Sequence, residues 1–374
     1  MRWSWRIGNL AGISVYIHAT FLLIILWAAV VGWQTTQTIE GAFSSIVFIL
    51  LLFLCVVLHE LGHALTARKY GIKTRDITLL PIGGVARLER MPDQPLQELW
   101  VALAGPAVNV VIAALMLVWL SISRIGAGME TLFDPQHSSL VERLFTTNIA
   151  LVIFNLLPAF PMDGGRVVRA LLATRMPYVR ATQIAANLGQ VMAFGFALIG
   201  LVYQPVLILI ALFVWIGASQ ESNLVQLKSA LNGIPVSDAM LTNFRVITPE
   251  HTLDDTIRLT LAGSQTDFPV IENGQIVGIL TQSDMLTGLS TLGRDVPVRE
   301  VMHTEFEVTH PSDMLHSLFL KLQSSESDCR TALVLRHGQL VGLVTKQNIA
   351  EYLEIHAALA ERAIAPSQPQ IKQS

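Results

Sequence analysis

An apolar run from Ile46 to Ala67 carries His59-Glu60-Leu61-Gly62-His63 within it. Its neighbours are Phe48–Leu54 on one side and Val56-Val57-Leu58 immediately before the motif. A run this long reads as a helix of membrane length, because roughly 20 apolar residues match the bilayer core. Two His at i and i+4 share one helix face and can grip one metal ion, with the Glu between them placed as general base. Ionisable groups inside an apolar span are costly and mark a functional site. His59 and His63 are therefore candidate ligands for one Zn²⁺ per chain, and Glu60 is the candidate catalytic residue. The structural alternative is a His pair that only packs two helices. The pattern points to hydrolysis carried out within a membrane.

Composition supports a membrane setting. The chain is 52% hydrophobic and 14% charged, with a mean hydropathy of +0.52, whereas soluble domains run near about 25% charged. The formal net charge of −3 is uninformative about partners, and no basic block suggests nucleic acid, so none is expected as a partner. Cys55 and Cys329 are too far apart to suggest a disulfide framework, and neither has zinc-ligand spacing. Arg2 and Arg6 precede an apolar stretch with no small-residue cleavage site, so an uncleaved first span is expected.

Apolar runs at Ile13–Trp33, Phe43–Ala67, Leu99–Ile122, Leu144–Phe160, Ile184–Leu201 and Pro205–Ala218 predict about six transmembrane helices. Val202-Tyr203-Gln204 forms a tight hairpin between the last two. Arg68, Lys69, Lys73, Arg75, Arg87 and Arg90 follow the second run, and Arg166, Arg169, Arg175 and Arg180 follow the fourth. The loop after the third run has only Arg124 and Arg143, against Glu130, Asp134 and Glu142. Lys/Arg excess marks the cytoplasmic side. An integral protein of the cell (inner) membrane is expected, with both termini cytoplasmic and His59 and His63 toward the cytoplasmic end of their helix.

Past Ser219 the composition turns polar and the chain repeats. Val236-Ser237-Asp238-Ala239-Met240 aligns with Val298-Arg299-Glu300-Val301-Met302, and Gly278-Ile279-Leu280-Thr281 with Gly342-Leu343-Val344-Thr345. An offset of about 62 to 64 residues means paired structural units. Each reads as an extended segment, a helix, two strands around a turn and a second helix. The strands of the first unit, Phe268–Ile271 and Ile276–Leu280, flank Glu272-Asn273-Gly274-Gln275, a hairpin signal. The expected organisation is a polytopic α-helical membrane domain over 1–222 and an α+β tandem pair over 234–290 and 296–356. A disordered tail is expected over 365–374.

Catalytic zinc takes three protein ligands and keeps one position open. Asp163, in Asn155-Leu156-Leu157-Pro158-Ala159-Phe160-Pro161-Met162-Asp163-Gly164-Gly165-Arg166, is the candidate third ligand, since its segment ends an apolar run. Irregular backbone at membrane depth is tolerated only inside protein or beside water. The same Asp-Gly also reads as an ordinary turn, and spacing alone leaves both open.

The HExxH motif with a downstream Asn-x-x-Pro and Asp-Gly segment resembles the site-2 protease family of intramembrane zinc metalloproteases. Gly12–His18, Pro81-Ile82-Gly83-Gly84 and Ala104-Gly105-Pro106-Ala107-Val108-Asn109 resemble further family segments, so the likeness covers roughly Gly12 to Ser219. It implies Asp163 as the third ligand, with Met162 standing where the family usually has Leu, a volume-conserving change. It also implies a membrane-protein substrate cut in or near a transmembrane segment. Asn109 and Asn155 are candidates for stabilising the oxyanion or holding the substrate backbone, with helix–helix hydrogen bonding as the alternative. His18 is expected to pack or gate rather than ligate. Pro81–Val85 is a candidate edge strand for pairing with an unwound substrate. No PDZ-like insertion is apparent between the spans.

The two repeats resemble CBS domains, which commonly bind adenine nucleotides and can form homodimers. Thr281-Gln282-Ser283-Asp284 matches the family's ribose-contacting pattern, making Thr281 and Asp284 candidate nucleotide ligands. Thr345-Lys346-Gln347-Asn348 departs at its last position and loses a charge-assisted bond. The alternative to a protease is a CBS-regulated membrane transporter or channel, which gives no reason for HExxH.

Overall fold

The computed structural model describes residues 3–81, 83–92, 94–123, 139–263, 265–324 and 331–364. Arg2, Ile82, Arg124, Glu130, Asp134, Cys329 and the tail over 365–374 lie outside the described residues. The chain divides into two compact units, Met1–Val225 and Gln226–Ser374.

The first unit opens with a hairpin of β1 (Ser4–Leu10) and β2 (Ile13–His18). Ala11 and Gly12 form its turn with φ of 51° and 87°, the paired positive values that fit the twist of a two-residue hairpin. Here the expected first span is corrected. Ile13, Val15 and Ile17 alternate with Ser14, Tyr16 and His18, a period of two, and Ile13 and Val15 turn inward. The helix that follows, α1 (Phe21–Thr36), has only 16 residues. Hydropathy alone joined a half-buried strand to a short helix.

Next comes α2 (Ile39–Lys69), 31 residues capped by Thr38, whose hydroxyl accepts from Gly41 N at 3.1 Å. Two strands follow, β3 (Thr74–Leu80) and β4 (Gly83–Leu88). The four strands form one sheet in the order β1-β2-β3-β4, with β2 and β3 parallel and β4 at an edge. Val15, Phe21, Phe53, Val57 and Leu79 seat the sheet, α1 and α2 on one another, with Phe21 and Phe53 edge to face at 4.6 Å.

Five more helices complete this part of the chain: α3 (Pro95–Ser123), α4 (Leu140–Asn155), α5 (Asp163–Ala173), α6 (Tyr178–Val202) and α7 (Val206–Ala230). Ser139 and Glu142 form a capping box at the start of α4. Among the described residues four helices, α2, α3, α6 and α7, are long and apolar enough to cross a membrane. The other two apolar runs fold as α1 and α4, at 16 residues each, shorter than the roughly 20 that a span needs.

In the second unit each repeat builds a hairpin. In the first, β5 (Phe268–Glu272) and β6 (Gln275–Leu280) meet at Asn273-Gly274. The second has a short parallel strand, β7 (Glu307–Thr309), beside β8 (Thr331–Arg336) and β9 (Gln339–Thr345), which meet at His337-Gly338. Helices α8 (Leu253–Leu261) and α9 (Gln282–Thr291) flank the first hairpin, and α10 (Leu315–Ser324) and α11 (Lys346–Ile364) the second. The repeats exchange backbone bonds. Ile279 pairs with His303, and Leu343 pairs with Leu241. Ile279, Leu333 and Leu343 form a shared apolar seam between the hairpins. Phe268 is fully buried, which contributes about 1.5–3 kcal/mol.

Candidate metal centre

His59 and His63 face inward from α2, one turn apart, and both are buried. Asp163 is the first residue of α5 and meets them at the end of the irregular stretch between α4 and α5. His59 Nε2 and His63 Nε2 are 3.0 Å apart, and Asp163 Oδ2 lies 3.2 and 3.1 Å from them. Bonds of about 2.0–2.1 Å to a tetrahedral Zn²⁺ place neighbouring ligand atoms about 3.3 Å apart, so the triangle has the right size.

The hydrogen bonds behind the triangle fix which nitrogens bear protons. Asn148 Nδ2 donates to the Leu144 carbonyl at 2.9 Å, so its Oδ1 is the acceptor for Asn109 Nδ2 at 2.8 Å. Asn109 Oδ1 must then accept from His59 Nδ1 at 2.5 Å. His63 Nδ1 donates to the Val101 carbonyl at 2.7 Å. With both Nδ1 atoms engaged in these bonds, each ring presents Nε2, the nitrogen left for a metal, toward the Asp163 carboxylate. Two imidazole nitrogens and a carboxylate oxygen converging in a buried site form a donor set suited to a metal ion.

Space has been kept at this point. A Cβ on Gly105 would lie 2.2 Å from His63 Nε2 and 2.6 Å from His59 Nε2, so only glycine lets α3 approach the donor atoms. The residues present thus fit a metal ion. Glu60 sits on the neighbouring face of α2, and its Oε2 accepts from Ala86 N in β4 at 3.2 Å. A Cβ on Gly84 would fall 2.8 Å from Glu60 Cγ, so the strand runs directly against the carboxylate stem. Asp76 holds Arg87 of the same strand through two bonds, at 2.8 and 2.5 Å.

The other candidates are placed differently. Asn109 is fully buried and both ends of its amide are engaged, by His59 of α2 and Asn148 of α4, the helix–helix hydrogen bonding that was the alternative for it. Asn155 ends α4, partly buried, and among the described residues shares no hydrogen bond with the three donors. His18 bonds Thr20 through Nδ1 at 2.8 Å, away from the triangle. Thr281 and Asp284 come together in a capping box at the start of α9, and Asp284 Oδ1 also lies 3.0 Å from His303 Nε2. Thr345 and Asn348 repeat the arrangement, with a 2.9 Å bond from Thr345 Oγ1 to Asn348 Oδ1. Sequence reasoning missed Asn148 and Val101. Asn148 was visible as an amide within an apolar run. A backbone carbonyl such as Val101 leaves no sequence signal.

A two-His, one-carboxylate donor set beside a glutamate, among helices of membrane length, defines a membrane metallohydrolase. The model of peptidase family M50 matches residues 47–127 and 120–196, and the CBS domain model matches 236–291 and 298–355. The zinc metalloprotease MJ0392 of Methanocaldococcus jannaschii is 33% identical over 359 residues, 95% of this chain and 97% of that protein. The solved site-2 protease from Methanocaldococcus jannaschii is 39% identical, over 59% of this chain and 95% of that one, with a TM-score of 0.44. The CBS domain-containing protein YhcV of Bacillus subtilis is 28% identical over 117 residues, 31% of this chain and 82% of that protein. The chain belongs to peptidase family M50, the zinc metalloproteases of site-2 type, and carries a C-terminal CBS pair. That membership favours the protease over the transporter or channel.

Proposed function

We propose that this protein hydrolyses peptide bonds in or near transmembrane segments of other membrane proteins, with Zn²⁺ held by His59, His63 and Asp163. The convergence of three buried donor atoms beside Glu60, among membrane-length helices, carries the reading. When bound, zinc supplies a Lewis acid that acidifies water and polarises the scissile carbonyl. Glu60 takes the proton from the attacking water and passes it to the departing amine. Asn109 and the Val101 carbonyl keep the two rings turned toward the site throughout. The edge strand β4 offers backbone partners to a substrate drawn out of its helix, which places the extended peptide beside Glu60. The Lys/Arg distribution supports cytoplasmic termini and a metal site toward the cytoplasmic end of α2.

We further propose one adenine-nucleotide site at Thr281 and Asp284, with the CBS pair regulating cleavage and supporting a homodimer. The retained carboxylate at Asp284, against the amide of Asn348, supports one strong site.

Cleavage of a purified single-span substrate in detergent, with the products weighed by mass spectrometry, tests the central reading. The expected cut lies within or at the border of the apolar segment. Cuts confined to its water-exposed tails would contradict the intramembrane assignment.

A further inference from the structure

Arg169 is fully buried on α5, six residues after the carboxylate ligand Asp163. Its Nε donates to Glu98 Oε1 at 2.8 Å, its Nη2 bonds the same oxygen, and its Nη1 bonds Glu221 Oε1. The rings of Phe160 and Tyr178 flank the guanidinium, with centroids 4.9 and 5.0 Å away. Tyr178 OH also donates to Glu98 Oε1 at 3.4 Å. One side chain therefore joins the first turn of α3, the start of α6, the middle of α7 and the stretch just before Asp163.

Such a cluster is a poor way to gain stability. A buried ion network costs desolvation that apolar residues of the same volume avoid. Geometry is a better reason for it. The chain between α4 and α5 carries Pro158 and Pro161 and has no regular helix to hold it. Its last residue before Pro161 is Phe160, whose ring rests on the guanidinium. Arg169 thus grips both the helix that begins with Asp163 and the segment that leads into it. A guanidinium suits the task because its planar fork makes several bonds in fixed directions, which an ammonium cannot do.

We propose that Arg169, clamped by Glu98 and Glu221, is a positioning residue for Asp163: it fixes the carboxylate at the metal and does not touch the substrate. This rests on the zinc site proposed above. The test uses full-length protein in detergent, loaded with zinc. Zinc release to excess chelator is followed, together with kcat and KM on a single-span substrate. The variants are Arg169→Lys, Glu221→Gln and the double variant Arg169→Met with Glu98→Gln, which leaves no unpaired charge at Glu98.

Zinc release is expected to speed up by about tenfold or more and kcat to fall in parallel, with KM unchanged, as for other groups that orient ligands. Lysine should not rescue. A purely structural clamp would instead lower the melting temperature and leave zinc release from the folded fraction unaltered. Wild-type zinc release and kcat in a folded Arg169 variant would overturn the proposal. Should neither Arg169 variant fold, Glu221→Gln decides it, since Glu221 is a quarter exposed and tolerates neutralisation. Unchanged release and kcat there would overturn it equally. A wild-type protein that takes up no zinc would remove the metal site itself, a result distinct from variants that match a zinc-loaded wild type.

Discussion

The side-chain oxygen of Asn109 lies 2.5 Å from Nδ1 of His59 and turns that ring so that Nε2 faces His63 and Asp163. Asn148 holds Asn109 in the only amide orientation that can accept this proton. Asn109→Leu should therefore weaken zinc binding by about 10–100-fold. Asn148→Leu should act in the same direction and also leave the Asn109 amide unsatisfied, at about 1–3 kcal/mol of stability. Competition against a chelator of known affinity checks the first effect and thermal unfolding the second. Unaltered zinc affinity in both variants would mean that packing alone sets the ring.

Gly105→Ala is a more severe test of the same site. The added methyl would sit 2.2 Å from His63 Nε2, in the place where the donor atoms converge. The variant should insert in the membrane yet lose most of its zinc and cleavage. Full zinc occupancy would show that the helix can move aside or that the metal lies elsewhere.

Much of the centre was legible in the sequence. HExxH within an apolar run named His59 and His63, and their spacing i, i+4 brings both to one face of α2. Asp163 was visible as a carboxylate where an apolar run ends in Pro and Gly. Distances between segments were not legible, so the bonds that orient the rings went unseen, and the sequence left Asn109 open between a substrate-side role and the helix–helix hydrogen bonding it makes. The bounds of the first run were misplaced for a different reason. Hydropathy averages over a window, and a strand of alternating Ile, Val and Ile merges with the helix behind it. The repeats were recoverable because their Asn-Gly turn and apolar strands have strong local signals.

The nucleotide assignment turns on one charge. Asp284 also caps α9, so alanine would confound binding with helix loss. Asp284→Asn keeps a cap acceptor and makes the first site resemble the second, where Asn348 stands. Affinity for an adenine nucleotide should fall about tenfold, the worth of a charge-assisted bond to ribose. Calorimetry on full-length protein measures it. Equal affinity in the two proteins would remove Asp284 from the ribose.

Acid should loosen the second unit through two capped turns. Asp255 accepts from Thr252 N at 3.0 Å and from its hydroxyl at 2.8 Å; Asp313 accepts from His310 N and Thr309 Oγ1, both at 2.8 Å. The backbone bonds first, then the hydroxyl bonds, hold both carboxyls below their ordinary value. In the unfolded chain they take up protons near about pH 3.9, before the folded chain does. Their contribution is therefore complete above that pH and disappears as pH falls through the lowered folded values. The protection of amides over Leu253–Leu261 against exchange, taken relative to the intrinsic rate at each pH, should fall as pH drops from about 4 to 3. Asp255→Asn should flatten that dependence. An equally steep profile in Asp255→Asn would assign the effect to other groups.

Glu60 and the metal can be separated in one experiment. Wild type and Glu60→Gln are purified in detergent, zinc is measured by mass spectrometry, and cleavage of a single-span substrate is followed on the same samples. Stoichiometric zinc is expected in both, with cleavage lower in Glu60→Gln by about 10²–10⁴-fold, the range for loss of a general base. Equal cleavage by the two proteins, or a wild type that cleaves without zinc, would contradict an intramembrane metalloprotease built on His59, His63, Asp163 and Glu60.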